Sequence, residues 1–196
     1  MTSSPQLPNL ILASGSPRRR QLLTAAGLSF EAIESAIPER RRDGENVREY
    51  APRMARDKAL AVASRFPAAI VLGADTVVEC IGQVLEKPVD ANDARRMLTV
   101  LSGRTHTVVT AFAIARGAQI LAAEAVQSRV TFRTLTAPEI EEYIASGEPF
   151  DKAGAYGIQG VGEGLISAVD GPRDNVMGLP VDNVLAALRR VGFERC

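Results

Sequence analysis

Arg18, Arg19 and Arg20 follow directly on Ser14-Gly15-Ser16-Pro17, and the order of these seven residues says what they could do. Residues 10–13 are a short apolar run suited to a buried strand, and Ser14-Gly15-Ser16 supplies the small residues of a sharp turn. Pro17 fits the first position of a helix, where its missing N–H costs nothing, with Ser16 as N-cap and Gly27 as the C-terminal stop. The three arginines then sit on the positive end of the helix dipole, where cations are unfavourable and an anion is welcome. A bound anion would offset them; arginines splayed into water are the competing reading.

Asp75 and Thr76 are the second pair of interest. They join two strongly apolar β segments, residues 68–73 and 77–78. An acid and a hydroxyl there are either desolvated, at a cost of several kcal/mol, or placed at a strand end facing a cleft, and the cleft is the favoured reading. Lys87 precedes Pro88 and so lies in extended or loop backbone from which it can project. Lys58 falls in the middle of a helix expected over 47–66 and, taken singly, reads as solvent-exposed. Residues 148–160 are dense in glycine and carry Asp151, Lys152, Tyr156 and Gln159. Glycine at that density suggests backbone folded tightly around something, against the alternative of a plain surface loop.

Composition narrows the chemistry. With 23 basic and 23 acidic residues the net charge is zero, so any phosphate site is local and the chain is no general polyanion or membrane-surface binder. His106 is the only histidine, which disfavours zinc sites and most histidine-dependent triads, and its expected role is structural. The absence of tryptophan and 5% aromatics leave few platforms for stacking nucleic acid, so no nucleic-acid partner is expected. Cys80 and Cys196 make neither a disulfide framework nor a metal pattern and read as ordinary thiols, with the cytoplasm as default location. The first residues, Met1 to Gln6, lack the basic region of an export signal, and no apolar run approaches the ~20 residues of a membrane span.

The elements that must position these residues follow from local pattern. One compact domain, or two intimately packed lobes, is expected for 196 residues with 46% hydrophobic content. After the first helix, residues 28–34 are a plausible strand, and Arg40-Arg41-Arg42 a solvated charge run. The helix over 47–66 is weakened in its first turns by Pro52. A hairpin turn at 81–84 follows, then a helix over 91–101 begun by Asp90 and Asp93, then a long hairpin from 105–115 and 119–133. Thr136 and Glu139 cap a short helix, 165–169 is a strand, 171–175 a turn, and 181–191 the final amphipathic helix.

Six motifs in order, Ser14-Gly-Ser-Pro-Arg-Arg19, Gly73-Ala-Asp-Thr-Val-Val78, Lys87-Pro88, Leu101-Ser-Gly-Arg-Thr-His106, the segment 147–160 and Asn175-Val-Met-Gly-Leu-Pro180, resemble the Maf family of nucleoside triphosphate pyrophosphatases. Gly-Ala-Asp-Thr and Tyr156-Gly-Ile-Gln-Gly160 look like the branch that acts on dTTP and UTP rather than the branch that acts on 7-methyl-GTP. The resemblance implies a single domain over 1–196 with the α/β fold of inosine triphosphate pyrophosphatase: a long mixed sheet flanked by helices, with a cleft between two lobes. It implies hydrolysis of a pyrimidine nucleoside triphosphate, canonical or modified, to monophosphate and pyrophosphate.

By the same resemblance Asp75 matches the catalytic acid that takes a proton from the attacking water. Arg19, Thr76 and Gln159 match positions linked to base selection; Ser14, Arg18, Lys58 and Lys87 match groups around the phosphates; Glu39, with Asp75, matches an acidic position that helps to hold metal. Glu86 departs from the family, standing where glycine usually precedes Lys-Pro, and Gly171-Pro-Arg-Asp174 replaces a turn that often carries an aromatic residue. The residue inventory suits Mg²⁺ or Mn²⁺ held by oxygen ligands. The expected assembly, where there is one, is a homodimer. A different class of function, a nucleotide-binding regulator of cell division and septum formation without turnover, separates from the enzyme on pyrophosphate release. A third, an RNA-binding module using the arginine runs, is disfavoured by the charge balance and scarce aromatics.

Overall fold

Residues 10–193 are described by the computed structural model; the first residues read for an export signal, and Cys196, lie outside the described residues. In chain order the elements are β1 (Leu10–Leu12), α1 (Pro17–Ala25), β2 (Glu31–Ala32), α2 (Val47–Ala63), β3 (Ile70–Cys80), β4 (Gln83–Leu85) and α3 (Ala91–Leu101). They continue with β5 (Thr105–Arg116), β6 (Gln119–Phe132), α4 (Ala137–Ala145), β7 (Ile166–Asp170), α5 (Arg173–Met177) and α6 (Val181–Arg190). The seven strands form one mixed sheet in the order β2-β1-β3-β5-β6-β7, with β4 paired to β3. The chain divides into two compact units: 10–75, 111–125 and 178–193 make the first, Thr76–Thr110 and Val126–Met177 the second.

In the first unit β1 pairs in parallel with both β2 and β3, Leu10 opposite Ile70 and Leu12 opposite Leu72. A strand with parallel neighbours on both edges is buried on both faces, which is why its residues are all apolar. Leu10, Leu12, Leu23, Leu72, Phe112 and Ile114 pack with Leu179, Val184 and Leu188, the last two from α6. Each fully buried leucine contributes roughly 1.5–3 kcal/mol. α1 begins as the local residues require: the Ser16 hydroxyl accepts the Arg19 N–H at 3.5 Å, Pro17 takes the first position, and Gly27 adopts φ +71° beyond the end. β2 is only two residues long, much shorter than the strand expected over 28–34, because only Glu31 and Ala32 come into register with β1.

α2 runs straight through Pro52 and ends at Ala63 instead of 66. Its first turns are secured by a reciprocal cap, with Asn46 Oδ1 accepting the Arg48 N–H at 2.9 Å and Glu49 Oε2 accepting the Asn46 N–H at 3.2 Å, and by burial of Val47, Tyr50, Ala51 and Met54. These offset the one backbone bond that proline deletes.

In the second unit, β3 turns at Ile81-Gly82, both at positive φ (47° and 75°), and pairs antiparallel with β4, Cys80 opposite Gln83. The Asp90 carboxylate accepts the Asp93 N–H at 2.8 Å and starts α3, whose Leu98 and Leu101 pack against Val108, Phe132 and Tyr143. Residues 171–175, expected as a turn, are instead Gly171 at φ +109°, Pro172 and the start of α5; the proline supplies the backbone angle that opens a helix. β6 and β7 pair antiparallel with a register shift between Thr131 and Phe132.

His106 lies in this second core. Its Nε2 meets the Tyr156 hydroxyl at 2.7 Å, the rings of Phe132 and Tyr156 pack edge-on at 5.2 Å, and Nδ1 has no partner among the described residues. Burial pushes its pKa down from 6.5 to about 4. The folded imidazole therefore stays neutral where the unfolded one takes a proton, so stability is fully present above 6.5 and is lost as pH falls toward 4. The expected outcome is that wild type loses about 3 kcal/mol more than His106→Gln across that window, read from denaturant midpoints at each pH. Parallel pH profiles for the two proteins would contradict it.

Candidate active site

Gly73 lies where β3 crosses α2. A Cβ on it would stand 2.4 Å from the Ala55 carbonyl oxygen and 2.6 Å from the Ala59 nitrogen, so the strand backbone rests on the helix backbone with no side chain between them. Asp75, two residues on, shares the strand face of Gly73, and Lys58 is the neighbour of Ala59. That approach brings Lys58 Nζ to 2.7 Å from Asp75 Oδ1, both side chains buried. The same ammonium donates to Glu39 Oε1 at 2.6 Å. Lys58 is thus no solvated helix residue; it carries a carboxylate on either side.

The loop bearing Glu39 is held by α2 as well. Arg53 clasps Glu45 through both carboxylate oxygens, at 2.5 and 2.6 Å, and its Nη2 donates to the Arg40 carbonyl at 3.0 Å. The clasp holds the Glu45 carboxyl down at about 2. The Arg42 N–H donates to Glu45, and the Arg41 guanidinium to its carbonyl, so this arginine run shapes the loop as well as meeting solvent.

Arg19 is buried from the first turn of α1. Its Nε donates to the Gly178 carbonyl at 2.8 Å and its Nη1 to the Ser14 hydroxyl at 3.2 Å, which also accepts the Ser16 N–H. Burial lowers the Arg19 pKa against the pull of Asp75 and Glu39. Burial likewise raises that of Asp75, opposed by Lys58 and Arg19. Ser14, Arg19, Glu39, Lys58 and Asp75 therefore form one electrostatic cluster in the first unit, with Arg18 half-buried beside it. A carboxylate whose proton affinity is raised by burial, and whose orientation is fixed by an ammonium, is suited to accept a proton from water.

The remaining expected positions lie in the second unit. Thr110 donates to the Asn175 carbonyl at 2.7 Å, so in the 3.0 Å contact between the Thr76 and Thr110 hydroxyls it is Thr76 that donates. Lys87 is exposed, on a loop fixed through the Glu86 carbonyl, which accepts the Gly154 N–H at 3.1 Å. Gln159 is exposed in the glycine-rich segment. Sequence reading did not single out Gly73, Arg53 or Thr110; a glycine within an otherwise apolar strand was the one available signal of close backbone approach.

Among the described residues no group of three or more His, Cys, Asp or Glu is arranged to hold a metal. Asp75 and Glu39 each turn one carboxylate oxygen to the Lys58 ammonium, and their other oxygens are hard donors of the type that Mg²⁺ or Mn²⁺ takes alongside water and phosphate.

Residues 9–191 match the family model described as Maf-like protein. The chain belongs to the Maf family. Among its relatives, a protein of Geobacter sulfurreducens named dTTP/UTP pyrophosphatase is 46% identical over 184 residues, 93% of this chain and 96% of the relative. One of the same name from Salmonella typhimurium is 51% identical over 176 residues, 89% of each. Among solved structures, a HAM1 protein from Coxiella burnetii aligns at 15% identity and a TM-score of 0.41, covering 63% of this chain and 72% of its own.

Gly73→Ala tests the placement of Asp75 against Lys58. The added methyl meets backbone on two sides, so the variant should be destabilised by about 1–3 kcal/mol in denaturant unfolding. A midpoint equal to wild type would show that α2 can leave β3 without loss.

Proposed function

We propose that this chain is a nucleoside triphosphate pyrophosphatase that hydrolyses dTTP and UTP to the monophosphate and pyrophosphate. The observation that carries the reading is the buried Asp75 carboxylate held by Lys58, in a Maf-family chain with relatives near 50% identity named for that reaction. Water attacks the α-phosphorus, Asp75 takes its proton, and pyrophosphate departs as the α–β bond breaks. Lys58 orients Asp75 and keeps one further N–H of its ammonium, beyond the bonds to Asp75 and Glu39, for phosphate. Ser14, Arg18 and Lys87 are the other phosphate contacts. A divalent cation on Asp75 and Glu39 would neutralise charge on the triphosphate oxygens when bound.

Base choice resides in Arg19, Thr76 and Gln159. The Gln159 amide carries a carbonyl acceptor for the N3–H of uracil and thymine and an NH₂ donor for the adjacent carbonyl. Cytosine has no N3–H, so at this position acceptor faces acceptor. The reading treats 1–196 as one nucleotide pyrophosphatase domain in the cytoplasm, acting as a homodimer without a nucleic-acid partner. No helix among the described residues is long and apolar enough to cross a membrane.

Pyrophosphate release from UTP, dTTP, CTP and GTP with Mg²⁺ or Mn²⁺ tests the assignment; binding without turnover would favour a nucleotide-responsive regulator instead. Asp75→Asn should keep the fold, less stable because Lys58 loses its buried counter-charge, and lose ~10²–10⁴-fold in kcat, because the amide cannot take the proton. Wild-type turnover in that variant would remove Asp75 from the mechanism.

A further inference from the structure

Glu148 opens the turn Glu148–Asp151, and both of its carboxylate oxygens are engaged by the chain that follows. Oε2 accepts the Val161 N–H at 3.0 Å, while Oε1 accepts the Gly162 N–H at 3.3 Å and the Tyr143 O–H at 3.0 Å. The Tyr143 hydroxyl in turn accepts the Gly157 N–H at 3.1 Å. Residues 157–162 therefore form an arch tied at both ends to one pair of side chains, with Gln159 near its crown.

The glycines of the arch exist for this wrapping. A Cβ on Gly157 would stand 2.9 Å from Glu148 Oε1, one on Gly160 2.9 Å from Oε2, and one on Gly162 2.8 Å from the Tyr143 hydroxyl and 2.3 Å from the Gly157 carbonyl oxygen. Gly160 also holds φ +72°, immediately after an extended Gln159. Glycine-rich backbone has the most conformational freedom to lose, so such an arch keeps one shape only if it is tied from outside. Hydrogen bonds to a carboxylate are the stronger kind for that purpose.

We infer that Glu148, with Tyr143, is a positioning residue for base discrimination: it fixes the backbone from which Gln159 meets the base. The inference rests on the proposed base-reading role of Gln159. Glu148 touches no substrate in this scheme; its effect travels through the arch.

The test compares kcat/KM for UTP and CTP in wild type, Gln159→Ala, Glu148→Gln, Tyr143→Phe and the double variant Glu148→Gln/Gln159→Ala. Glu148→Gln keeps the length but turns an NH₂ toward a backbone N–H, so donor meets donor. Gln159→Ala should lower the UTP-to-CTP ratio about tenfold or more, as expected when a site's polar group no longer reads the base edge. Glu148→Gln should lower it in the same direction, Tyr143→Phe to a smaller degree, and the double variant should show a ratio no lower than Gln159→Ala alone. A role in stability only would reduce both substrates equally and leave the ratio at wild type. That result in Glu148→Gln and Tyr143→Phe, with Gln159→Ala altered, overturns the inference and spares the base-reading role. An unchanged ratio in Gln159→Ala removes the base-reading role and the inference with it. If Glu148→Gln fails to fold, Tyr143→Phe decides alone.

Discussion

The contact between Lys58 and Asp75 is the constraint on which the first unit turns. Two opposite charges 2.7 Å apart, both screened from water, are each tolerable only because the other is there. Removing either leaves an uncompensated charge in a low-dielectric place, which is far more damaging than the pair is stabilising. Much of the local design follows from keeping them together. Gly73 lets helix and strand touch, Ala55 and Ala59 keep the helix face small, and Glu39 shares the ammonium from the solvent side. Arg53 on the same helix pins the Glu39 loop one residue further along, through the Arg40 carbonyl. Burial leaves the acid with a raised proton affinity against the pull of Lys58 and Arg19, and the bond to Lys58 orients it, the properties a proton acceptor needs.

A different device serves the interior of the second unit, where buried Thr110, Ser128 and Asn175 are ordered by hydrogen bonds between neutral groups. Asn175 is wholly buried and its side-chain amide donates to the Val108 carbonyl and the Ser128 hydroxyl, while its backbone carbonyl takes the Thr110 proton. A chain of this kind has a direction, because each hydroxyl has a single proton to give. The direction reaches Thr76, whose hydroxyl gives its proton to Thr110.

What could be read from the sequence was what local chemistry determines. The Ser16 cap and Gly27 stop of α1, the Asp90 start of α3 and the Thr136–Glu139 box of α4 follow from residues within a turn of one another, and all are present. Glycine density in 148–160 was legible as backbone folded around something, but that the something is the carboxylate of Glu148 was not, since nothing local links it to residues 161 and 162. The burial of Lys58 was equally hidden: its partners stand 17 and 19 residues away, and only the packing of α2 on β3 brings them in. The strand over 28–34 shrank to two residues because pairing, not composition, sets its length. Pro52 proved harmless to α2 because capping and burial outweigh one missing bond.

The first unit closes on itself with its two ends. Leu10, Leu12 and Leu23 share one apolar cluster with Leu179, Val184 and Leu188, so β1 and α6, about 170 residues apart, complete the same interior. During synthesis, at ~5–20 residues per second, β1 emerges from the ribosome many seconds before the helix that covers it has been translated. Its apolar side chains must wait for their last cover until α6 is made, and a chain cut short before α6 has no way to finish that interior. For a ribosome-bound chain, folding of the first unit is tied to the translation of α6 rather than to the order in which its strands appear.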